Sequence, residues 1–213
     1  MGKIKLYILA LVAMAVLMGA GYAAWGQNVT VGGTVNTGKK DVGFTRWVAR
    51  TDEHMTSSIS RIDARTVQVT VNNLYPGGRV WIDVDITNTG TIPCKFESAA
   101  LTIDPQNPLA PYLKSWCWLR YDEDGPGGPK PTNSYGYVQH PWGPFTGLAD
   151  ALNQSAMLNS LILDPGGWIS FEADGSGDEA RCICIKLDES APNTVQNKSL
   201  TFNLQLNFKQ WNR

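Results

Sequence analysis

"NLYPGGRVWIDVDITNTG", residues 73–90, decides the fold class. Val80, Ile82, Val84 and Ile86 alternate with the outward positions Asp83, Asp85 and Thr87, the period of two that marks a strand with one face in a core and one in water. Ahead of this run, Pro76 presets φ and Gly77-Gly78 permit positive φ, which is turn chemistry. Before the turn, "TVQVTVN" (66–72) places Val67, Val69 and Val71 on one face. Two alternating runs joined by a turn predict an antiparallel pair.

The same signature recurs outward from this unit. "ILDPGGWISFEADG" (162–175) repeats the proline-diglycine turn and the tryptophan-containing strand. "PCKFESAALTI" (93–103) reads as a strand whose alternation slips near Ala99 and Ala100, which predicts a bulge. "KSWCWLRY" (114–121), "EARCICIKL" (179–187) and "SLTFNLQLNFKQWN" (199–212) are further strands, the last alternating through Leu200, Phe202, Leu204, Leu206 and Phe208. Residues 41–50, with Phe44 and Trp47, open the body, and "TDEHMTSSISRIDAR" (51–65) reads as a polar connection. "DEDGPGGPKPTNSYGY" (122–137) reads as a long Gly/Pro loop. One helical passage, "FTGLADALNQSAMLNS" (145–160), repeats Leu148, Leu152 and Ala156 every four residues behind a cap at Thr146. It predicts one short helix over an edge. Eight to ten short strands with almost no helix predict an all-β sandwich of jelly-roll or immunoglobulin-like type, and the missing crossover helices exclude a parallel α/β fold.

The N-terminus sets the compartment. Lys3 and Lys5 precede an apolar stretch from Leu6 to Met18 and small residues up to Ala23, the order of a secretory signal peptide spanning residues 1–23. An uncleaved membrane anchor is the rival reading, since no charge intervenes between Lys5 and Lys39. Cleavage is the expectation, and it leaves an exported, mildly acidic protein. Without a basic cluster, a nucleic-acid partner is not expected.

Next comes "NVTVGGTVN" (28–36), with Val29, Val31, Gly33 and Val35 on one face and Asn28, Thr30, Gly32 and Thr34 on the other. A lone strand must find a sheet edge. The polar joint "NTGKKD" (36–41) reads as a hinge that lets residues 24–40 swing away from a body formed by residues 41–213.

Catalytic chemistry finds no motif. His54 and His140 are the only histidines; neither has a metalloprotease partner at helical spacing, and there is no nucleophile elbow. No catalytic residue, cofactor or enzyme activity is expected. Asp174, Ser176 and Asp178 offer calcium oxygens, as do Asp122 and Asp124, but Glu179 and Ile185 break the EF-hand pattern and a polar turn is the expected reading. In an exported chain Cys94, Cys117, Cys182 and Cys184 are candidates for two disulfides, with partners for Cys182 and Cys184 sought on neighbouring strands. Asn28, Asn153 and Asn197 head glycosylation sequons. Trp81, Trp116, Trp118 and Trp168 fall in strands, where packing in the core or between sheets is expected over a carbohydrate platform.

The segment ending "GYAAWGQ", the 73–90 unit and the closing "LTFNLQLNFKQWN" together resemble the TasA/camelysin family of biofilm-matrix fibre proteins and the related archaeal bundling pilins. Residues 104–165 do not align. The resemblance implies a jelly-roll subunit, exported, cleaved and polymerised head to tail with identical subunits by donor-strand exchange, with lateral bundling of the filaments as a further partner interaction. Residues 28–35 would be the donor strand. The competing expectations are a secreted or membrane-anchored monomeric β-sandwich and, from the proteolysis ascribed to camelysin, a secreted metalloprotease.

Overall fold

The computed structural model describes residues 2–25, 37–125, 134–172 and 182–212. The chain divides into two units, Met1–Thr37 and Gly38–Arg213. The first contains helix α1 (Gly2–Trp25). Its described apolar run, residues 7–18, is exposed, and no helix among the described residues is long and apolar enough to cross a membrane.

The second unit is an all-β sandwich of two antiparallel sheets. Sheet A contains β1 (Val42–Thr51), β4 (Arg79–Asn88), β6 (Leu113–Asp122), β7 (Ser134–Pro144), β9 (Trp168–Phe171) and β10 (Ile183–Leu187). Sheet B runs in the order β2 (Thr56–Asp63), β3 (Thr66–Leu74), β11 (Lys198–Gln210), β5 (Cys94–Ile103) and β8 (Ile162–Leu163). The core lies between them. Val67, Val69 and Val71 of β3, Val80, Ile82, Val84 and Ile86 of β4, and the five alternating apolar residues of β11 are all buried in it.

β3 and β4 therefore face each other across the core and do not pair, contrary to the hairpin expectation. β3 pairs with β11, Val69 opposite Phe202, while β4 pairs with β1, β9 and β10. The turn is as read, with Gly77 at φ 84° and Gly78 N–H donating to Tyr75 O at 2.8 Å. It carries the chain from one sheet to the other, because both valine faces need the same interior.

"TSSISRID" forms β2, where a polar connection was expected. The bulge in β5 falls at Glu97, opposite the step from Asn207 to Phe208, rather than at Ala99 and Ala100. Instead of one helix there are two, α2 (Leu148–Gln154) and α3 (Ala156–Ser160), each of about one or two turns. Thr146 caps neither: it lies in a 3₁₀ turn, and Ser155 breaks the helix by accepting from Leu158 N–H at 3.3 Å as the cap of α3.

β9 and β10 occupy a single lane between β4 and β6. Phe171 and Ile183 face Val84 and Ile82, two positions apart on β4, so the two strands follow one another along the same lane. The strand tryptophans also depart from expectation. Trp81, Trp116, Trp118 and Trp168 are only half-buried and stand on the outer face of sheet A, in register with Cys184 and Thr87 rather than with the inward Ile183 and Ile169. Asp83, expected in water, is 1% exposed there and bonded to the Arg50 guanidinium.

Candidate functional site

A two-sheet sandwich has two sides where the sheet edges come together, and the sequence treats them differently. On one side β5 of sheet B and β7 of sheet A are bridged by α2, whose Leu148 and Leu152 are fully buried. β8 pairs Leu163 with Cys94 and Ile162 with Lys95. Beyond it, the Asn153 side chain of α2 takes the place of a neighbouring strand. Its Oδ1 accepts from Ala99 N–H at 2.6 Å and its Nδ2 donates to Ala99 O at 3.0 Å. Two backbone groups that would otherwise invite another chain are thus satisfied.

On the other side β1 and β2, joined by the turn at residues 52–55, are the outer strands of their sheets. Among the described residues neither has a ladder partner on its outer edge. They touch at their ends: Phe44 N–H donates to Ala64 O at 2.8 Å, and Thr51 Oγ1 donates to Met55 O at 3.2 Å. Gly43 makes the first approach feasible, since a Cβ there would lie 2.3 Å from Ala64 O. Asp63 shapes the β2–β3 turn, accepting from Arg65 N–H at 2.7 Å, and that bond lowers its carboxyl below the ordinary range.

Between these ends runs a seam. Half-buried Trp47 and Ile59 flank it, Ile62 is 57% exposed, and Arg61 reaches across from β2, donating to Phe44 O at 2.8 Å with its guanidinium 5.0 Å from the centre of a Trp47 ring. A charged side chain over an apolar residue is a usual guard on an open edge.

The segment just before β1 continues this strand. Lys39 and Asp41 prolong β1 along the 89–91 turn: Thr91 N–H donates to Lys39 O at 2.8 Å, Lys39 N–H to Thr91 Oγ1 at 2.8 Å, and Thr89 N–H to Asp41 O at 2.8 Å. Lys40 Nζ donates to Phe208 O at 2.9 Å. The joint read as a flexible hinge over 36–41 is thus fixed from Lys39 onward, and any pivot must lie before it.

The donor residues Asn28, Val29, Thr30, Val31, Gly32, Gly33, Thr34 and Val35 lie outside the described residues, as do the calcium candidates Asp174, Ser176 and Asp178. Asp122 is buried and accepts from Gly125 N–H at 3.1 Å, a turn-closing role. Among the described residues no three His, Cys, Asp or Glu side chains form a metal-binding group. His54 occupies the β1–β2 turn at φ 67°.

The expected disulfides are not formed: Cys94, Cys117, Cys182 and Cys184 are buried thiols. The pleat explains the separation. Cys117 lies opposite inward Ile183, whereas Cys184 lies opposite Trp116 and Trp81 on the outer face, and Cys94 belongs to the other sheet. Burial pushes the Cys117 thiol far up, and a hydrogen bond to Cys184 together with burial does the same to Cys182. Such thiols are unreactive.

The sequons divide similarly. Asn153 is engaged through the amide nitrogen that a glycan would occupy, while Asn197 is exposed at φ 57° in the turn before β11. No protein-family model and no curated protein sequence matches this chain.

Proposed function

We propose that this protein is a structural subunit of an extracellular filament, in which residues 28–35 of one copy add as a strand to the free β1/β2 edge of the next. The observation that carries the reading is the contrast between the two sides of the sandwich: one is closed by helices and a side-chain clamp, while on the other, among the described residues, two edge strands have no ladder partner on their outer edges. Strand addition satisfies backbone groups on both chains, and pockets at every second position read the side chains. Val29, Val31 and Val35 have that spacing, and Trp47 and Ile59 supply the apolar surface to cover. A head-to-tail contact of this kind does not close on itself, so it propagates. The resemblance to the fibre-forming family supports the same reading, and cleavage after Ala23 would release the arm.

The test uses protein beginning at residue 24, viewed by negative-stain microscopy and sedimented. Filaments are expected. Deleting residues 24–36 as well should leave a folded monomer with an unchanged melting temperature and no filaments, and Ile59→Lys in the undeleted protein should block growth. A deletion that unfolds the body would assign residues 28–35 to their own sandwich and overturn the proposal, as would an undeleted protein that stays monomeric.

A further inference from the structure

A depression lies on the outer face of sheet A. Register creates it. Asp85 of β4, Ser170 of β9 and Arg120 of β6 stand opposite one another in one row, and Thr87 and Trp168 form the next. Buried Ser170, between Asp85 and Arg120, floors a hollow of about 270 Å³, walled also by Glu172 and Thr45.

The charges in it are fixed and balanced. Ser170 Oγ donates to Asp85 Oδ1 at 2.6 Å. Arg120 Nη2 donates to Glu172 Oε2 at 2.9 Å, and Arg46 meets the other Glu172 oxygen while lying 3.8 Å from Asp85. The bond to Glu172 raises the Arg46 guanidinium further above its ordinary value, so it stays charged. Among the described residues, two guanidiniums and two carboxylates cancel, so an anion entering here meets Asp85 and Glu172 and a cation meets Arg46 and Arg120. A neutral ligand meets no net repulsion.

Hydrogen-bonding capacity remains in the wall. Each carboxylate offers about four acceptor sites and each guanidinium five donors, more than the internal bonds use. Hydroxyl groups donate and accept, so adjacent hydroxyls on one ring suit a carboxylate beside a guanidinium. Trp168 adds an apolar surface, held by the Arg120 guanidinium 5.5 Å from a ring centre. The volume lies just below the roughly 300–1,000 Å³ of pockets that take drug-sized molecules, which suits a single ring.

We infer that this hollow binds a saccharide, a neutral pyranose either free or at the end of a glycan chain. The site is on a sheet face and does not depend on strand exchange. Saturation-transfer NMR of the protein beginning at residue 24 with glucose, galactose and mannose, each alone, tests the free sugar, and a glycan array tests chain ends. Transfer from at least one hexose, or array binding to terminal neutral hexoses that free hexose competes away, is expected. Asp85→Asn and Arg120→Gln should each weaken binding about tenfold, or ~1.4 kcal/mol, with circular dichroism confirming that both variants remain folded. Silence in both assays overturns the inference. So does binding undiminished in both folded variants, or equal binding of glucuronate, which carries a net charge.

Discussion

The two sides of the sandwich hold the same kind of object, a pair of strand edges, and treat it in opposite ways. At β5 and β7 the chain spends two helices, a two-residue strand and one asparagine on covering the edge. At β1 and β2 it places serines, an exposed isoleucine and one guarding arginine. Exposed edges are ordinarily blunted because they template association. The difference teaches that edge protection here is local, and that the less protected side is the one whose strand β1 continues directly from the Lys39–Asp41 segment.

The sharpest way to break the comparison is to remove packing from each side in turn. Leu152→Ala, in fully buried α2, should cost about 3 kcal/mol in urea unfolding, whereas Ile59→Ala on the half-buried seam should cost under about 1 kcal/mol. Equal costs would mean the seam is as closed as the other side. Asn153→Ala removes both bonds to Ala99 and leaves that edge unsatisfied, for a loss of about 2 kcal/mol, and hydrogen exchange at Ala99 should rise with it.

Titration separates the core from both sides. Cys117 has a raised pKa in the folded state, so the stability it contributes is fully present below the ordinary thiol value of about 8.5 and declines as pH rises above it, because only the unfolded chain gives up the proton. Stability should fall by up to about 1.4 kcal/mol per pH unit there. Cys117→Val should flatten the slope in alkaline denaturation curves. The smallest effect is expected from Arg61→Ala, about 0.5 kcal/mol through the lost contact with Trp47. A shifted tryptophan emission at nearly unchanged stability would show the seam opened without damage to the fold.

Strands with one apolar face were legible because burial and sequence share a period of two: β3 and β11 follow the reading residue for residue, and β4 does so on its inward face. β2 escaped because an edge strand has little to bury. Of its eight residues only Ile59 and Ile62 are apolar, and Ile62 points to water. A Ser/Thr-rich run beside strong strands, with one isoleucine facing in, was the available signal. Partner choice was not legible at residues 73–78, where the same turn chemistry serves a hairpin or a crossing between sheets. The tryptophans and Cys184 misled for one reason: on the outer face of sheet A Cys184 lies in register between Trp81 and Trp116, so bulky and buried do not mean inward. The seam left no trace in the sequence, being defined by what lies beside two strands and not by their own residues.

The fastening of Lys39–Asp41 bears on mechanics. Its hydrogen bonds to Thr89, Gly90 and Thr91 lie across the direction of the chain, and Lys40 ties the same segment to β11. Tension applied ahead of Gly38 would load these bonds together, in shear, and pass straight into the β1–β4 ladder instead of peeling the strand from one end. A protein pulled from its N-terminus would then yield at high force and all at once.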